Sequence, residues 1–152
     1  TGSVYVFRTS DGGATYGQVA KLTASDAAGD KFGYSVAVVD GATIVVGAPN
    51  GEAAYVFRTT DGGATYDEVA KLTASDAATK DKFGRSVATD GQKVVVGAMH
   101  NDGPSDSGSA YVFLTTDDWN TYTEIKLTAP DAAGYDGFGF SVAIDGGTIA
   151  RT

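Results

Sequence analysis

The chain has 152 residues, of which 42% are hydrophobic, and it contains no cysteine, so neither a disulfide framework nor a thiolate metal site is available. Its 19 acidic and 11 basic side chains give a net charge of -8, which disfavours nucleic acid and anionic membrane surfaces as partners. No apolar run reaches the roughly 20 residues that cross a bilayer, so no membrane insertion is expected. The 21 glycines beside only 3 prolines, with many Val, Thr, Tyr and Phe residues, predict an all-β fold.

The same words return in the same order along the chain, which indicates an internal repeat. The clearest are Tyr-Val-Phe and Phe-Gly, which begin at Tyr5, Tyr55 and Tyr111 and at Phe32, Phe83 and Phe138. The second interval is longer than the first for both words. The additional residues fall mainly in 101–107, whose Asn, Asp, Gly, Pro and Ser composition predicts a surface loop.

One repeat carries the signals of four strands. Residues 32–39 and 43–48 flank an Asp-Gly turn and predict a tight hairpin, and residues 53–59 and 66–74 flank an Asp-Gly-Gly turn and predict a second one. Sheets of four antiparallel strands are the blades of β-propellers. We label the strands A to D outward from the propeller axis, and we expect A and B to be the most buried.

The chain then reads as a single repeat array of three blade equivalents over residues 1–152. Its parts are an outer half-blade with its loop, two blades and an inner half-blade: 1–31, 32–82, 83–137 and 138–152. Propellers ordinarily close with roughly four to eight blades. We therefore expect two copies to form a six-bladed homodimer, in which the outer half-blade of each copy joins the inner half-blade of the other. The alternative is a structural fragment of a longer repeat protein.

Two stretches resemble a known family. Residues 32–37 (Phe-Gly-Tyr-Ser-Val-Ala) with 46–49 (Val-Gly-Ala-Pro), and 83–88 with 96–98, resemble the FG-GAP repeat of integrin α-subunit propellers. A third copy begins at 138–143 but lacks the Gly-Ala-Pro word. The resemblance implies an extracellular or cell-surface propeller that acts as a non-catalytic binding or adhesion scaffold.

Many FG-GAP repeats carry a calcium loop with several aspartates between strands A and B. Here each connection offers one carboxylate, from Asp40, Asp90 or Asp145. Calcium needs several oxygen ligands, so we expect no calcium at these hairpins and no other cofactor. The remaining candidate for a calcium site is the long loop, which contains Asn101, Asp102 and Asp106.

The connection between strands C and D carries a second resemblance. Residues 59–66 (Thr-Thr-Asp-Gly-Gly-Ala-Thr-Tyr) resemble the Asp-box of sialidase propellers; residues 9–16 repeat them, and 115–122 place Trp119 where glycine belongs. The resemblance implies that the Asp and Thr side chains bind the hairpin's own backbone. A sialidase needs converging arginines, whereas Arg8 and Arg58 are equivalent positions of different repeats. A glycan-processing enzyme is therefore the less favoured alternative.

Acidic residues recur in the connection before each strand A. They are Asp26, Asp30, Asp76, Asp81, Asp131 and Asp136. The loops between strands B and C open on the same face in a four-stranded meander, so we expect an acidic face that recognises a protein or glycan ligand. The alternative is that these residues only terminate strands and keep the face soluble.

Two expectations concern burial. Phe32, Phe83 and Phe138 are expected to be buried equivalents that pack adjacent blades together, with Val36, Val87 and Val142 beside them. The charged residues of strand D are expected on its solvent-facing side, where charges discourage edge-to-edge association. These residues are Glu68, Lys71, Glu124 and Lys126.

Overall fold

Four antiparallel sheets follow one another along the chain in the computed structural model, which describes residues 2–26, 30–101 and 106–152. The strands of this part of the chain are β1 (Val4–Arg8), β2 (Gly17–Leu22), β3 (Ser35–Val39), β4 (Thr43–Ala48), β5 (Ala53–Arg58), β6 (Asp67–Leu72), β7 (Phe83–Thr89), β8 (Lys93–Ala98), β9 (Ser109–Leu114), β10 (Thr123–Leu127), β11 (Val142–Asp145) and β12 (Thr148–Arg151). The described residues form no helix that is long and apolar enough to cross a membrane.

The two middle sheets are four-stranded meanders in which strands adjacent in sequence are hydrogen-bonded neighbours. We call them blade 1 (β3–β6) and blade 2 (β7–β10). The two-stranded sheets are the outer hairpin (β1–β2), which repeats the pairing of β5–β6, and the inner hairpin (β11–β12), which repeats that of β3–β4. An all-β fold with four antiparallel strands per repeat is thereby confirmed.

The turns between strands A and B differ from one another. In blade 1, Asp40 and Gly41 both have a positive φ, 52° and 61°, as in a type I′ hairpin. In the other two A–B turns only the glycine, Gly91 or Gly146, has a positive φ, and the aspartate before it does not. In blade 2 the carboxylate of Asp90 instead accepts hydrogen bonds from the backbone of its own turn. The same Asp-Gly sequence therefore forms turns of more than one geometry.

The glycines of the Phe-Gly and Gly-Ala words let neighbouring blades approach closely. Gly84 has a φ of 89°, and a Cβ placed on it would lie 2.3 Å from the carbonyl oxygen of Ala53. A Cβ on Gly47 would lie 2.1 Å from the carbonyl oxygen of Gly84. The Ser35 hydroxyl donates a hydrogen bond to that same carbonyl at 3.0 Å. The residues of these two repeated motifs therefore form the contact between successive blades.

Each junction between neighbouring sheets holds its own hydrophobic core. Between blades 1 and 2, Val45 and Val56 belong to one buried cluster with Phe83. A second cluster joins the outer hairpin to blade 1 around Phe32, and a third joins blade 2 to the inner hairpin around Phe138. The predicted burial of the three phenylalanines is confirmed, since their exposed fractions are 6%, 0% and 3% in chain order.

Two predictions about burial are wrong. The most buried strands are B and C, because β4 is buried throughout and β5 nearly so, whereas strand β3 at the sheet edge is partly exposed. Val36 is 47% exposed, while its equivalents Val87 and Val142 pack against the clusters of their own junctions. Val36 pairs with Val46, which lies on the side facing the outer hairpin. Among the described strands, that hairpin is paired with no inner strands that could cover Val36.

Candidate functional site on the loop face

Loops from successive repeats meet on one face of the molecule. This loop face consists of the described parts of the loops before each strand A and between strands B and C: residues 23–26, 30–34, 49–52, 73–82, 99–101, 106–108 and 128–137. Its two kinds of loop are hydrogen-bonded to each other, because the N–H groups of Asn50 and His100 donate to the carbonyls of Asp30 and Asp81 at 3.1 and 3.0 Å. The loops thus form one connected surface.

Glu52 fixes the loop that leads into blade 2. Its carboxylate accepts the backbone N–H groups of Lys80 at 3.0 Å and of Phe83 at 2.8 Å. Hydrogen bonds to a charged acceptor are stronger than neutral ones. The negative charge of Glu52 is therefore used within the protein, to hold a neighbouring loop.

Asp26 and Asp76 occupy equivalent positions at successive junctions. The Tyr55 hydroxyl donates to Asp26 at 2.7 Å, and the Tyr111 hydroxyl donates to Asp76 at the same distance. Each carboxylate also pairs with a lysine of strand D in the next sheet, Asp26 with Lys71 and Asp76 with Lys126. These two predicted ligand-binding residues link adjacent sheets and do not contact each other.

The charge states of these groups follow from their partners. Hydrogen bonds from Lys71 and Tyr55 lower the pKa of Asp26. Burial raises the pKa of Asp76, but hydrogen bonds from its lysine and tyrosine partners together bring it below the usual value. Burial and the hydrogen bond to Asp26 raise the pKa of the Tyr55 phenol well above its usual range. Both aspartates are carboxylates, and the tyrosine is a donor, at neutral pH.

Asp81 and Asn101 meet beneath the long loop. Asp81 is 8% exposed and accepts hydrogen bonds from the backbone of Ala78 at 2.8 Å and from the Asn101 amide at 2.7 Å. The Asn101 carbonyl oxygen in turn accepts the Ser109 hydroxyl at 3.0 Å. Asn101 is therefore engaged in a buried polar network.

The other two residues of the calcium candidate differ in their placement. Asp106 lines a cavity with Lys80, Lys82 and His100, and Asp102 lies outside the described residues. Within the described part of the chain, no three His, Cys, Asp or Glu residues are grouped so that they could hold a metal ion. The described residues therefore do not assemble the calcium candidate into a metal-binding geometry.

The remaining three acidic candidates are spread over two loops. Asp136 accepts the backbone N–H of Ala133 at 2.7 Å, which closes a local turn. Asp30 and Asp131 accept no hydrogen bond through their carboxylates from the described residues, and Asp131 is exposed. Of the six acidic candidates, these two have carboxylates without a hydrogen-bond or ion-pair partner in the described part of the protein.

Glu68 and Glu124 contact the preceding repeat, so the prediction that these two glutamates face solvent is wrong, whereas Lys71 is exposed as predicted. Glu68 accepts the backbone N–H and the hydroxyl of Ser25 at 2.9 and 2.8 Å. Glu124 makes the same pair of hydrogen bonds with Ser75, at 3.0 and 2.7 Å. Strand D lies against the loop that leaves the preceding sheet, and its charged side chains serve that contact.

Sequence reasoning missed a group of lysine, arginine and histidine residues on this face. Lys31, Lys82, Arg85 and His100 line one cavity with a volume of about 260 Å³ where blades 1 and 2 meet. The repeat register could have revealed the pattern, because Lys31 and Lys82 both directly precede the Phe-Gly word.

The hairpins between strands C and D lie at the opposite ends of the sheets. Asp61 accepts the Thr65 hydroxyl at 2.6 Å, the Thr65 backbone N–H at 2.9 Å and the Thr59 hydroxyl at 2.7 Å. The hydroxyl of Thr59 also accepts the N–H of Gly63 at 2.8 Å. These bonds lower the pKa of Asp61 well below its usual range. The side chains thus bind the hairpin's own backbone, as the Asp-box resemblance implies.

Trp119 preserves this hairpin geometry where glycine would be expected. It has a φ of 73°, and its N–H donates to the Thr115 hydroxyl at 3.0 Å. Its indole is only 2% exposed and packs in the cluster between blades 1 and 2. Burial of this large ring offsets the unfavourable left-handed backbone.

The two arginines of strand C serve different junctions. Arg8 lies beside Gly63 of blade 1, and Arg58 pairs with Asp118 of blade 2. Their separation matches the expectation that equivalent arginines do not converge. Each joins a C–D hairpin to strand C of the preceding sheet.

The fold and these contacts define an all-β repeat array of propeller-blade sheets that are joined loop to loop. The FG-GAP repeat model matches residues 16–66, 66–113 and 122–150, so the chain belongs to the FG-GAP repeat family. FG-GAP repeats build β-propellers, are typical of extracellular proteins and are generally not enzymes. No curated protein matches the chain.

Proposed function

We propose that this chain is a non-catalytic binding scaffold of the extracellular space or cell surface, which recognises a protein or glycan ligand on its loop face. The observation that carries the proposal is the preorganisation of that face. Glu52 holds the loop of the next repeat through two backbone hydrogen bonds, and Asp81 holds the base of the long loop through Asn101. A rigid frame that presents varied loops is a common basis of recognition.

A glycan-processing enzyme is less well supported. Its only basis is the Asp-box resemblance, and the hydrogen bonds of those hairpins close on themselves around Asp11 and Asp61. The arginines that would have to bind a substrate carboxylate, Arg8 and Arg58, serve separate junctions. A glycosidase screen distinguishes the two functions, since the scaffold releases no sugar from any substrate.

The binding experiment uses the loop face itself. The chain is applied to an array of glycans and immobilised extracellular proteins, and each hit is tested again with the double variant Asp30→Asn, Asp131→Asn. These two carboxylates accept no hydrogen bond from the described residues, so their replacement is expected to leave the fold intact, which circular dichroism checks. Binding that is lost or weakened in the double variant supports the acidic residues as ligand contacts. Absence of any loop-face ligand contradicts the proposal.

The proposal includes a homodimer that completes two composite blades. Strands β1 and β12 each have one neighbour among the described strands, so each has an unpaired edge. In blade 1 the equivalent strands pair with Val46 opposite Tyr55. The same register would place Arg151 of one copy opposite Tyr5 of the other. Tyr5 and Phe7 are 50% and 54% exposed, and this pairing would cover them.

Light scattering on the intact chain tests the dimer. The variant Phe7→Glu places a charge on the proposed interface and is expected to convert a dimer to a monomer. Tyr135→Glu is the matched control, because Tyr135 is a loop aromatic that is 81% exposed. If the unsubstituted chain is a monomer at micromolar concentration, the dimer is wrong, and a fragment of a longer repeat protein becomes the better description.

A further inference from the structure

Two successive repeats build one cavity on the loop face from equivalent residues. The paired positions that line it are Lys31 and Lys82, Tyr34 and Arg85, Pro49 and Met99, and Asn50 and His100. The third repeat has Gly137 at the lysine position and Phe140 at the Tyr34 position. The cationic character is therefore concentrated at the junction of blades 1 and 2.

The positive charge of this cavity is not neutralised by the described residues. No carboxylate of the described residues lies within 4 Å of the side-chain nitrogens of Lys31, Lys82 or Arg85. The ion pairs of the described residues involve Arg58, Lys71, Lys93 and Lys126 instead. Lys82 donates one hydrogen bond, to the neutral Asn50 amide at 3.1 Å. In a chain of net charge -8, three neighbouring cations without carboxylate partners form a localised positive site.

The acidic groups near the cavity are otherwise engaged or lie outside ion-pair distance. Glu52 accepts two backbone N–H groups, and Asp81 accepts one backbone N–H and the Asn101 amide. Asp106 and Asp30 take part in none of the ion pairs of the described residues. An incoming anion therefore does not have to displace a carboxylate from Arg85 or the lysines.

Arg85 contacts two aromatic rings. Its guanidinium carbon lies over the ring of Tyr34 and over that of Phe140, 4.6 Å from each ring centroid. A guanidinium over an aromatic ring is attracted to the ring and can still donate two parallel hydrogen bonds from its N–H groups to a carboxylate. The two ring contacts restrict this side chain before a ligand arrives, which lowers the entropic cost of binding.

The size and walls of the cavity select the class of ligand. Its volume of about 260 Å³ lies just below the roughly 300–1,000 Å³ of typical small-molecule sites, and suits a few peptide side chains rather than an oligosaccharide. Pro49 and Met99 supply an apolar wall beside the cations. A carboxylate next to an apolar side chain matches both features.

We propose that this cavity binds an acidic peptide segment of a protein partner, with a Glu or Asp carboxylate on Arg85 and Lys82 and an adjacent apolar side chain against Pro49 and Met99. The inference rests on the proposed function as a binding scaffold and specifies the chemistry of its ligand. It differs from recognition by the acidic residues of the same face, because it requires the opposite charge on the partner.

The probe is a fluorescein-labelled peptide of alternating Glu and Leu residues, and binding is measured by fluorescence polarisation. Its control is the same peptide with Gln in place of Glu. Arg85→Gln is expected to weaken binding of the acidic peptide by about tenfold or more, because a charge-assisted bidentate contact is lost. Arg85→Lys retains the charge without the planar fork and is expected to bind with intermediate affinity.

Lys21→Gln is the matched control for charge, since Lys21 is an exposed lysine of β2 that does not line the cavity. It is expected to bind the peptide as the unsubstituted chain does. Lys82→Gln provides a second variant if Arg85→Gln impairs folding, which circular dichroism detects. Equal binding of the Glu and Gln peptides, or unchanged affinity in both cavity variants, overturns the inference.

The outcomes separate this inference from the proposed function. A sulfated oligosaccharide that binds where the peptide does not overturns the peptide assignment. If other ligands bind the loop face while the acidic peptide does not, the inference fails and the scaffold function stands. If no ligand of any kind binds, both fail.

Discussion

At the scale of single residues, the phenylalanine of the Phe-Gly word anchors each junction. Phe83 is fully buried, with ring centroids 5.4 Å from Tyr111 and 6.0 Å from Phe113. Phe83→Ala is expected to lower the free energy of unfolding by about 3–5 kcal/mol, because it removes apolar contacts and leaves a cavity. Urea denaturation measures the loss. Tyr135→Ala, at a position that is 81% exposed, is the control; a cost below about 1 kcal/mol for Phe83→Ala contradicts the packing described above.

The glycine that follows is constrained in two ways, and the chain offers a means of separating them. Gly84 and Gly62 both have a positive φ, 89° and 74°. A Cβ on Gly84 would clash with the carbonyl oxygen of Ala53 at 2.3 Å, whereas a Cβ on Gly62 would meet nothing within 4 Å. Gly62→Ala is expected to cost about 1–2 kcal/mol from backbone strain alone. Gly84→Ala is expected to cost about 1–3 kcal/mol more, because the blades must separate. Thermal unfolding compares the two, and equal costs contradict a close blade contact.

At the scale of the element, the C–D hairpins make stability depend on acid pH. Hydrogen bonds from Thr65 and Thr59 lower the pKa of Asp61 below the ordinary value of 3.8, and Asp11 and Asp117 are lowered in the same way in their hairpins. Because the folded pKa is depressed, this stabilisation is present above the ordinary pKa and is lost as the pH falls towards the folded value. The melting temperature is therefore expected to vary little from pH 7 to 5 and to fall below about pH 4.

Asp61→Asn tests the origin of that acid sensitivity. The amide cannot accept all the hydrogen bonds of the carboxylate, so the variant is expected to melt at a lower temperature at pH 7 and to lose part of the decline below pH 4. Asp67→Asn is the control, because Asp67 is an exposed residue of β6. An unchanged acid profile in Asp61→Asn shows that other carboxylates govern the transition.

The elements also show where sequence reasoning succeeds. The position of each hairpin follows from two local signals, the alternation of apolar and polar residues and the Asp-Gly turn sequences. These signals also specify which strands pair. The burial of Val36 depends on whether inner strands stand beside it in the neighbouring sheet, which its own repeat does not encode. Glu68 binds Ser25 of another repeat, so a one-repeat view places it in solvent. Trp119 keeps a glycine conformation because a neighbouring blade buries its ring.

At the scale of the whole molecule, the same distinction applies to the candidate site. Repeat spacing predicts that the acidic loops share a face, and their hydrogen bonds bring them together. It does not show that Glu52 and Asp81 are used to hold that face, or that Arg85 lies over the rings of both Tyr34 and Phe140. Those contacts cross from one repeat to the next, so they depend on how closely the blades stack.

The contacts at the junctions between sheets also indicate whether the stability of the fold depends on calcium. Its stabilising contacts are apolar clusters and protein-to-protein hydrogen bonds at every junction, for example from Ser86 to the carbonyl of Gly139 at 2.8 Å. The A–B turns each contribute one carboxylate, and that of Asp90 already pairs with Lys93 at 2.6 Å. Calcium requires about six to eight oxygen ligands, which these turns do not supply.

Addition of EDTA is therefore expected to leave both the β-sheet circular dichroism signal and the melting temperature unchanged. A protein whose folding depended on bound calcium would lose binding free energy, and with it folding free energy, when the ion was removed. The measurement is a pair of melting curves with EDTA and with millimolar calcium, on protein first dialysed against chelator. A lower melting temperature in EDTA contradicts the expectation at the A–B turns if Asp90→Asn or Asp145→Asn abolishes the difference. If Asp106→Asn abolishes it instead, the ion belongs to the long loop, and the account of the A–B turns stands.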